Sequence, residues 1–427
     1  RERTFRVRSL RFRPAHAPPA PPAPPAPPAP PAFATLRPDV SLIPRGDALA
    51  LTRALVAVDS RNPSLAPDGP GEGAVAELLA RVLREWGFAV DLLEALPGRP
   101  NLLARIGGGH GGRSLLLNGH LDTVGVEGMT HAPHDPIIRD GRLYGRGACD
   151  MKAGIAAMCA AAAHAAAAID LGGEVIIAAV ADEEYASAGT RALLAMGITA
   201  HAAVVTEPTR LALCPAHRGF AWADITVAGR AAHGSRYDVG VDAITHAGLL
   251  LAELHAYEQE VLTTRTHPLL GRASLHAGTI HGGIGPSTYP DRCTFNVERR
   301  TLPGEQGADL GRELDAAIAR VRARVPSFQA EYVLGVGQAP NDVSLEEPHV
   351  VALRTACTAA GEAASIEGLS CWTDAALFTA AGIPAVCFGP GDIALAHAAE
   401  EYVPVDEIAR ATNVLTRFIT EWCGPKG

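Results

Sequence analysis

Lysine is almost absent. Of 37 basic residues among 427, only Lys152 and Lys426 are lysine and the rest are arginine. Beside the heavy use of Ala, Gly and Pro, this bias reflects coding composition rather than a binding function. A basic excess is also missing: the net charge is −9. That argues against a nucleic-acid partner, which calls for a basic face or stripe, and leaves a small-molecule partner as the better fit. The eight cysteines are scattered, with no CxxC pair and no dense framework. Such usage is expected of free, buried thiols in a reducing cytoplasm. No run of about 18 strongly apolar residues stands out, so no membrane span is expected. The nearest candidate, the Ala-rich run 155–169, carries His164 and reads as a buried helix.

Residues 1–40 differ from everything after them. Six arginines fall among the first thirteen residues, and Pro-Pro-Ala units then repeat from Pro18 to Pro31. This composition reads as a disordered, polyproline-like tail. From about Ser41 strands and helices alternate. Val75, Leu78, Leu79, Val82, Leu83 and Trp86 recur at helical spacing, and apolar runs at 89–93, 101–106, 114–117, 174–180 and 202–206 read as strands. The pattern predicts an α/β fold, a mostly parallel sheet with helices on both faces.

Between 217 and 336 the grammar changes. A strand at 220–227, a helix at 241–261, strands at 273–280 and 293–299, a helix at 310–325 and a strand at 330–334 give the order βαββαβ, the ferredoxin-like arrangement with two helices on one face. A helix near 348–360, a strand at 385–388 and a helix at 405–422 restore the first pattern. The expected organisation is one domain formed by 41–216 and 337–427, with 217–336 inserted into it.

Several polar residues fall at the ends of these predicted strands. His120 and Asp122, in Gly119-His120-Leu121-Asp122-Thr123, share a face if the backbone is extended. Asp122 could then hold one ring nitrogen of His120 while the other binds a metal, although the pair equally suits a structural histidine. Asp150 ends the Gly-rich segment Tyr144-Gly145-Arg146-Gly147-Ala148-Cys149 at a helix start, as a ligand or as an N-cap. Asp182-Glu183-Glu184 and Glu207 follow predicted strands, at the end where α/β proteins place ligands. His397 precedes the last helix. Each residue alone has an ordinary structural explanation. Together, two histidines and several carboxylates without thiolate suit a catalytic zinc, cobalt or manganese site.

The segments GHLDTV, GRGACDMKAG, ADEE, TEPT and GPGD…AH resemble, in order and spacing, the metallopeptidase family that contains acetylornithine deacetylase, succinyl-diaminopimelate desuccinylase, aminoacylase and glutamate carboxypeptidase. The resemblance runs from about residue 51 to 418. It implies an enzyme with two divalent metal ions per chain, probed first as zinc, with cobalt or manganese as alternatives. The residue matching Asp150 bridges them, those matching His120 and Glu207 complete one site, and those matching Glu184 and His397 complete the other. Glu183 matches the general base, and Asp122 stands behind His120. The resemblance also implies that 217–336 is a lid and dimerisation domain. Its His233 would reach the neighbouring active site of a homodimer and stabilise the oxyanion, unless it is a structural turn histidine. Arg300 matches an arginine that binds the substrate carboxylate, with a surface salt bridge as the alternative because Arg299 adjoins it. Ser287 stands where many members carry a substrate-contacting asparagine, a departure that bears on the group recognised. Asp374 fits a family motif without a chemical role.

The implied reaction is hydrolysis of a linear amide bond in an N-acyl amino acid, such as N-acetylornithine or N-succinyl-diaminopimelate. A dipeptidase or carboxypeptidase of the same fold, acting on a short peptide, is the alternative. A relative kept only as a binding protein would have lost ligands or base, and here all six positions are filled.

Overall fold

In the computed structural model residues 42–109 and 111–425 are described; the expected tail at 1–40 lies outside them. The main sheet is built from strands whose alternate residues serve two separate cores. Leu115, Leu117, Val175, Ile177 and Ala179 pack with the helices Ala48–Val56, Gly73–Glu85, Ala153–Ala168 and Val405–Cys423. Leu116, Ile176, Ala178, Val180, Ala203 and Val205 pack on the opposite side with Leu193 and Phe378. Side chains alternate across a strand, so two apolar faces require helices on both.

The strand order is Ala89–Leu96, Arg99–Gly107, Glu174–Val180, Leu115–His120, Ala202–Val205, Ala385–Cys387, Leu213–His217, Asn341–Asp342, with Ile366–Leu369 also paired to Leu213–His217. The centre of the sheet, from Glu174–Val180 to Ala385–Cys387, is parallel, as the alternation of strands and helices predicts. Antiparallel strands border it. Ala89–Leu96 and Arg99–Gly107 form a hairpin closed at Pro97-Gly98, and Leu213–His217 runs against Ala385–Cys387.

The Ala-rich helix Ala153–Ala168 is buried along nearly its whole length. Contrary to the sequence expectation, the helical stretch Ala148–Ala168 is long and apolar enough, by length and composition, to cross a membrane, with a mean hydropathy of 1.3. Alanine is only weakly apolar, but a dense run of it over Ala153–Ala168, with Ile155, Met158 and Cys159 and broken only by Gly154 and His164, reaches that level. Inside the fold 78% of the qualifying window is buried, and its small side chains let Val405–Cys423 and Ala48–Val56 pack against it.

Residues 219–338 form a second, four-stranded antiparallel sheet in the order Ser274–Gly282, Arg292–Thr301, Gly219–Ala228, Gln329–Gln338. With the helices Ala243–Glu260 and Asp309–Arg324 this is the predicted βαββαβ order. Its own core surrounds Ile225, Leu250, Phe295, Leu314 and Val321. The other face of the sheet is open. Along Arg292–Thr301, Thr294, Asn296, Glu298 and Arg300 alternate with buried Cys293, Phe295, Val297 and Arg299. Several short pairings escape the sequence reading, among them Thr266–His267 with Gly271–Arg272, and Arg142–Tyr144 with both Tyr402–Pro404 and Ile138–Arg139. They are too brief for a period to register.

Candidate metal centre

The candidate ligands leave the carboxyl end of the parallel strands. His120 is the last residue of Leu115–His120, Glu183 and Glu184 follow Glu174–Val180, Glu207 follows Ala202–Val205, and Ala385–Cys387 leads into the loop with His397. Asp150 arrives separately, through a turn in which Gly145 and Gly147 take φ of 154° and 79°. A side chain at Gly147 would also meet Thr123 Cγ2 at 2.7 Å, so this turn requires glycine.

His120 Nε2 lies 2.9 Å from Asp150 Oδ1, 3.9 Å from Glu183 Oε2 and 4.0 Å from Glu207 Oε1. His397 Nε2 lies 3.0 Å from Glu184 Oε2 and 3.6 Å from Asp150 Oδ2. Asp150 therefore turns one oxygen to each imidazole. In two triplets, His120/Asp150/Glu184 and His120/Glu183/Glu207, the donor atoms all lie within 4.8 Å of one another. These triplets share His120 and cut across the pairing that the resemblance implies. His397 is the most open of the set, with 52% of its side chain exposed.

Four carboxylates thus crowd two imidazoles. Burial, reinforced by the charges of Glu207, Asp374 and Glu184, pushes Glu183 well above the usual carboxylate range, and burial with Asp150 does the same to Glu207. At His120 burial acts downward, but the hydrogen bond and charge of Asp150 prevail and hold the imidazole well above its usual range. The hydrogen bond and charge of Glu184 raise His397 to about 9. Such concentrated negative charge calls for added positive charge, and oxygen with imidazole donors suits a divalent cation. The nearby thiols of Cys149 and Cys371 are pushed up by burial and add no thiolate. The residues present fit a metal site.

Several residues that support this set carry no sequence signal. Glu401, fully buried, accepts from Arg146 Nη1 at 2.6 Å and from the main-chain N–H of Gly147, Cys149 and Asp150 at 3.1, 3.0 and 3.1 Å. It fixes the loop that presents Asp150. The Asp122 carboxylate, expected to hold the His120 ring, accepts instead from the main-chain N–H of Glu183 and Glu184, both at 3.2 Å, and from Asn62 Nδ2 at 2.8 Å. The Asp122 carbonyl meets His120 Nδ1 at 2.9 Å, while its carboxylate is 3.8 Å away. The assigned strand ends at His120, and the Asp122 carboxylate is turned towards the 183–184 backbone. Asp182, the first of the acidic triplet, meets Arg99 Nη2 at 3.0 Å and Asn62 Nδ2 at 3.1 Å. Asp374 is buried, accepts from Thr190 Oγ1 at 2.6 Å, and is raised by burial to about 6.

His233 and Ser287 occupy two loops of the smaller sheet unit tied through their backbones: His233 pairs with Thr288, and Gly234 N donates to Ser287 O at 2.8 Å. The His233 ring is exposed, with Nδ1 2.8 Å from Ser235 Oγ. Among the described residues no hydrogen bond or ion pair joins it to the ligand cluster. Arg300 lies on the open face of the smaller sheet, 5.5 Å over the Phe220 ring and paired with Glu298, and among the described residues no hydrogen bond or ion pair joins it to the cluster either. Arg299 points to the buried, helix-covered side of that sheet and pairs with Glu305 at 2.7 Å and Glu313 at 3.1 Å. Strand alternation therefore gives the buried ion pairs to Arg299 and leaves Arg300 on the open face.

Residues 116–421 match peptidase family M20/M25/M40. The acetylornithine deacetylase of Myxococcus xanthus is 34% identical over 352 residues, covering 80% of this chain and 90% of its own. The N-formyl-4-amino-5-aminomethyl-2-methylpyrimidine deformylase of Bacillus subtilis is 27% identical over 392 residues, covering 84% of this chain and 92% of its own. Among solved structures, a dinuclear metal-binding peptidase of the M20 family from Bacillus subtilis aligns with a TM-score of 0.65 at 16% identity, covering 89% of this chain and 98% of its own, a likeness of fold. The chain belongs to peptidase family M20/M25/M40 and is a hydrolase of that family.

Proposed function

We propose that the protein hydrolyses a linear amide bond, removing the acyl group of an N-acyl amino acid such as N-acetylornithine or N-succinyl-diaminopimelate. The observation that carries this reading is the gathering of Glu183 with His120, Asp150, Glu184, Glu207 and His397 at one end of the sheet, in a chain 34% identical to an acetylornithine deacetylase.

In this reading Asp150 would be shared between two divalent ions, with His120 and Glu207 available to hold one and Glu184 and His397 the other. Zinc suits these donors, as do cobalt and manganese. Bound there, the ions supply Lewis acidity at the scissile carbonyl and a lower pKa for the attacking water. Glu183 takes the proton of that water and hands it to the leaving amine, with its backbone held by Asp122. His233, exposed on its loop, would enter the active site of a second copy and donate to the oxyanion developing on the carbonyl. The working unit is then a homodimer, with 217–336 as lid and dimerisation domain and 41–216 plus 337–427 as catalytic domain. Arg300 offers a guanidinium fork to the substrate's free carboxylate, and Ser287 helps select the substituent. Eight free cysteines support a reducing, cytoplasmic setting.

A dipeptidase or carboxypeptidase activity at the same centre is the second reading, favoured by the fold shared with a peptidase. A panel of N-acetyl, N-succinyl and N-formyl amino acids and of dipeptides, assayed with zinc, cobalt or manganese, separates the two. Preference for acylated amino acids supports deacylation, and preference for dipeptides supports the second reading. No turnover of any amide by metal-loaded protein refutes both.

A further inference from the structure

The turn that carries Glu183 and Glu184 is held from behind by a buried polar group with Arg99 at its centre. Arg99, 8% exposed, donates from Nε and Nη2 to both oxygens of Glu72, at 2.7 and 2.6 Å, and its Nη2 lies 3.0 Å from Asp182 Oδ1. Glu72 Oε1 also accepts from Asp182 N at 3.1 Å. Asn62 Nδ2 donates to Asp182 Oδ1 at 3.1 Å and to Asp122 Oδ2 at 2.8 Å, and Asp122 takes the N–H groups of Glu183 and Glu184. Asp182 stands at φ 66°, a left-handed conformation uncommon among residues with a Cβ and open to aspartate because its short carboxylate finds nearby hydrogen bonds.

Three buried carboxylates, Glu72, Asp182 and Asp122, thus lie within the influence of one guanidinium. The planar fork of arginine engages two acceptors in a fixed direction, which a lysine ammonium does not. A buried ionic network is a weak source of stability because desolvation offsets the attraction. What it fixes is geometry.

We propose that Arg99, together with Glu72 and Asn62, is a positioning residue for the general base: through Asp182 and Asp122 it sets the direction in which the 182–184 turn presents Glu183. The proposal rests on the reading of Glu183 as the base.

The test uses the full chain loaded with zinc or cobalt, and the panel compound turned over fastest. Arg99→Lys keeps the charge and removes the fork. Its kcat should fall roughly tenfold to a hundredfold, with KM within about twofold and metal content by elemental analysis unchanged. In the Glu183→Gln background the same substitution should cost less than about twofold, because the group it aims is gone. Asn62→Ala removes no charge and should show the same signature, which keeps the proposal testable if Arg99→Lys does not fold. Wild-type kcat in these variants, with only a lower melting temperature, overturns the positioning role and leaves the base assignment standing. Loss of metal, or losses that add in full to that of Glu183→Gln, overturns it as well. Undiminished turnover in Glu183→Gln overturns the base reading and the proposal with it.

Discussion

Replacing Glu401 by glutamine perturbs the loop that presents Asp150 while leaving every proposed ligand side chain in the sequence unchanged. Glu401 Oε1 serves the N–H groups of Cys149 and Asp150, and Oε2 serves Gly147 N and Arg146 Nη1. An amide has one acceptor oxygen. Whichever way it turns, two donors face an NH2 group, and in one orientation Arg146, with 3% of its side chain exposed, is among them. A stranded buried donor costs about 1–3 kcal/mol, and a broken buried ion pair about 3–5 kcal/mol. Burial pushes the Glu401 carboxyl up despite Arg146 and the amide donors. The neutral amide therefore recovers part of the desolvation cost, and the expected loss is near 3 kcal/mol, roughly the lower end of that range. Urea unfolding of the metal-free protein should show a lower midpoint at unchanged slope. Metal affinity, read by titration, should fall roughly tenfold to a hundredfold. A variant within about 0.5 kcal/mol of wild type that binds metal as tightly would refute this account of the loop.

Glu183→Gln should keep its metals while turnover drops on the order of 10²–10⁴-fold; near-wild-type rates would remove Glu183 from the mechanism. His397→Ala should lose one metal per chain on elemental analysis, and an unchanged metal content would mean that the cage is misdrawn. His217 and His349 are each held down to about 4 by burial. The unfolded chain takes up a proton at these rings near pH ~6.5 while the folded chain does not, so their contribution is complete above that pH and is lost as pH falls towards 4. At roughly 3 kcal/mol per ring, His349→Phe should flatten the acid slope of metal-free stability, and an unchanged slope would count against the assignment.

What the sequence disclosed followed from short-range periodicity. The unbroken apolar run Val175–Val180 and the helical spacing from Val75 to Trp86 were enough to set the layers, and ligand types at predicted strand ends were enough to suggest the cluster. What stayed hidden depends on contacts between distant positions. Glu401 closes on Arg146 across 255 residues and Asn62 reaches Asp182 across 120, and neither leaves a local pattern. Asp122 is a related case: its spacing from His120 said nothing of the N–H groups of Glu183 and Glu184, 61 and 62 residues on, from which its carboxylate accepts. Arg299 and Arg300 show the opposite case, in which a simple period of two separates a buried ion-pairing arginine from one on an open surface.

The alanine-rich helix behind the sheet has a consequence for how this protein tolerates change. A Cβ at Gly154 would lie 2.0 Å from the carbonyl oxygen of Thr206, the residue immediately before Glu207. The helix therefore acts as a spacer whose thickness sets where a ligand-bearing loop stands. In a saturation mutagenesis map its positions should discriminate by volume far more than by polarity, so that sequence drift under selection is confined there to the smallest side chains while neighbouring surfaces vary.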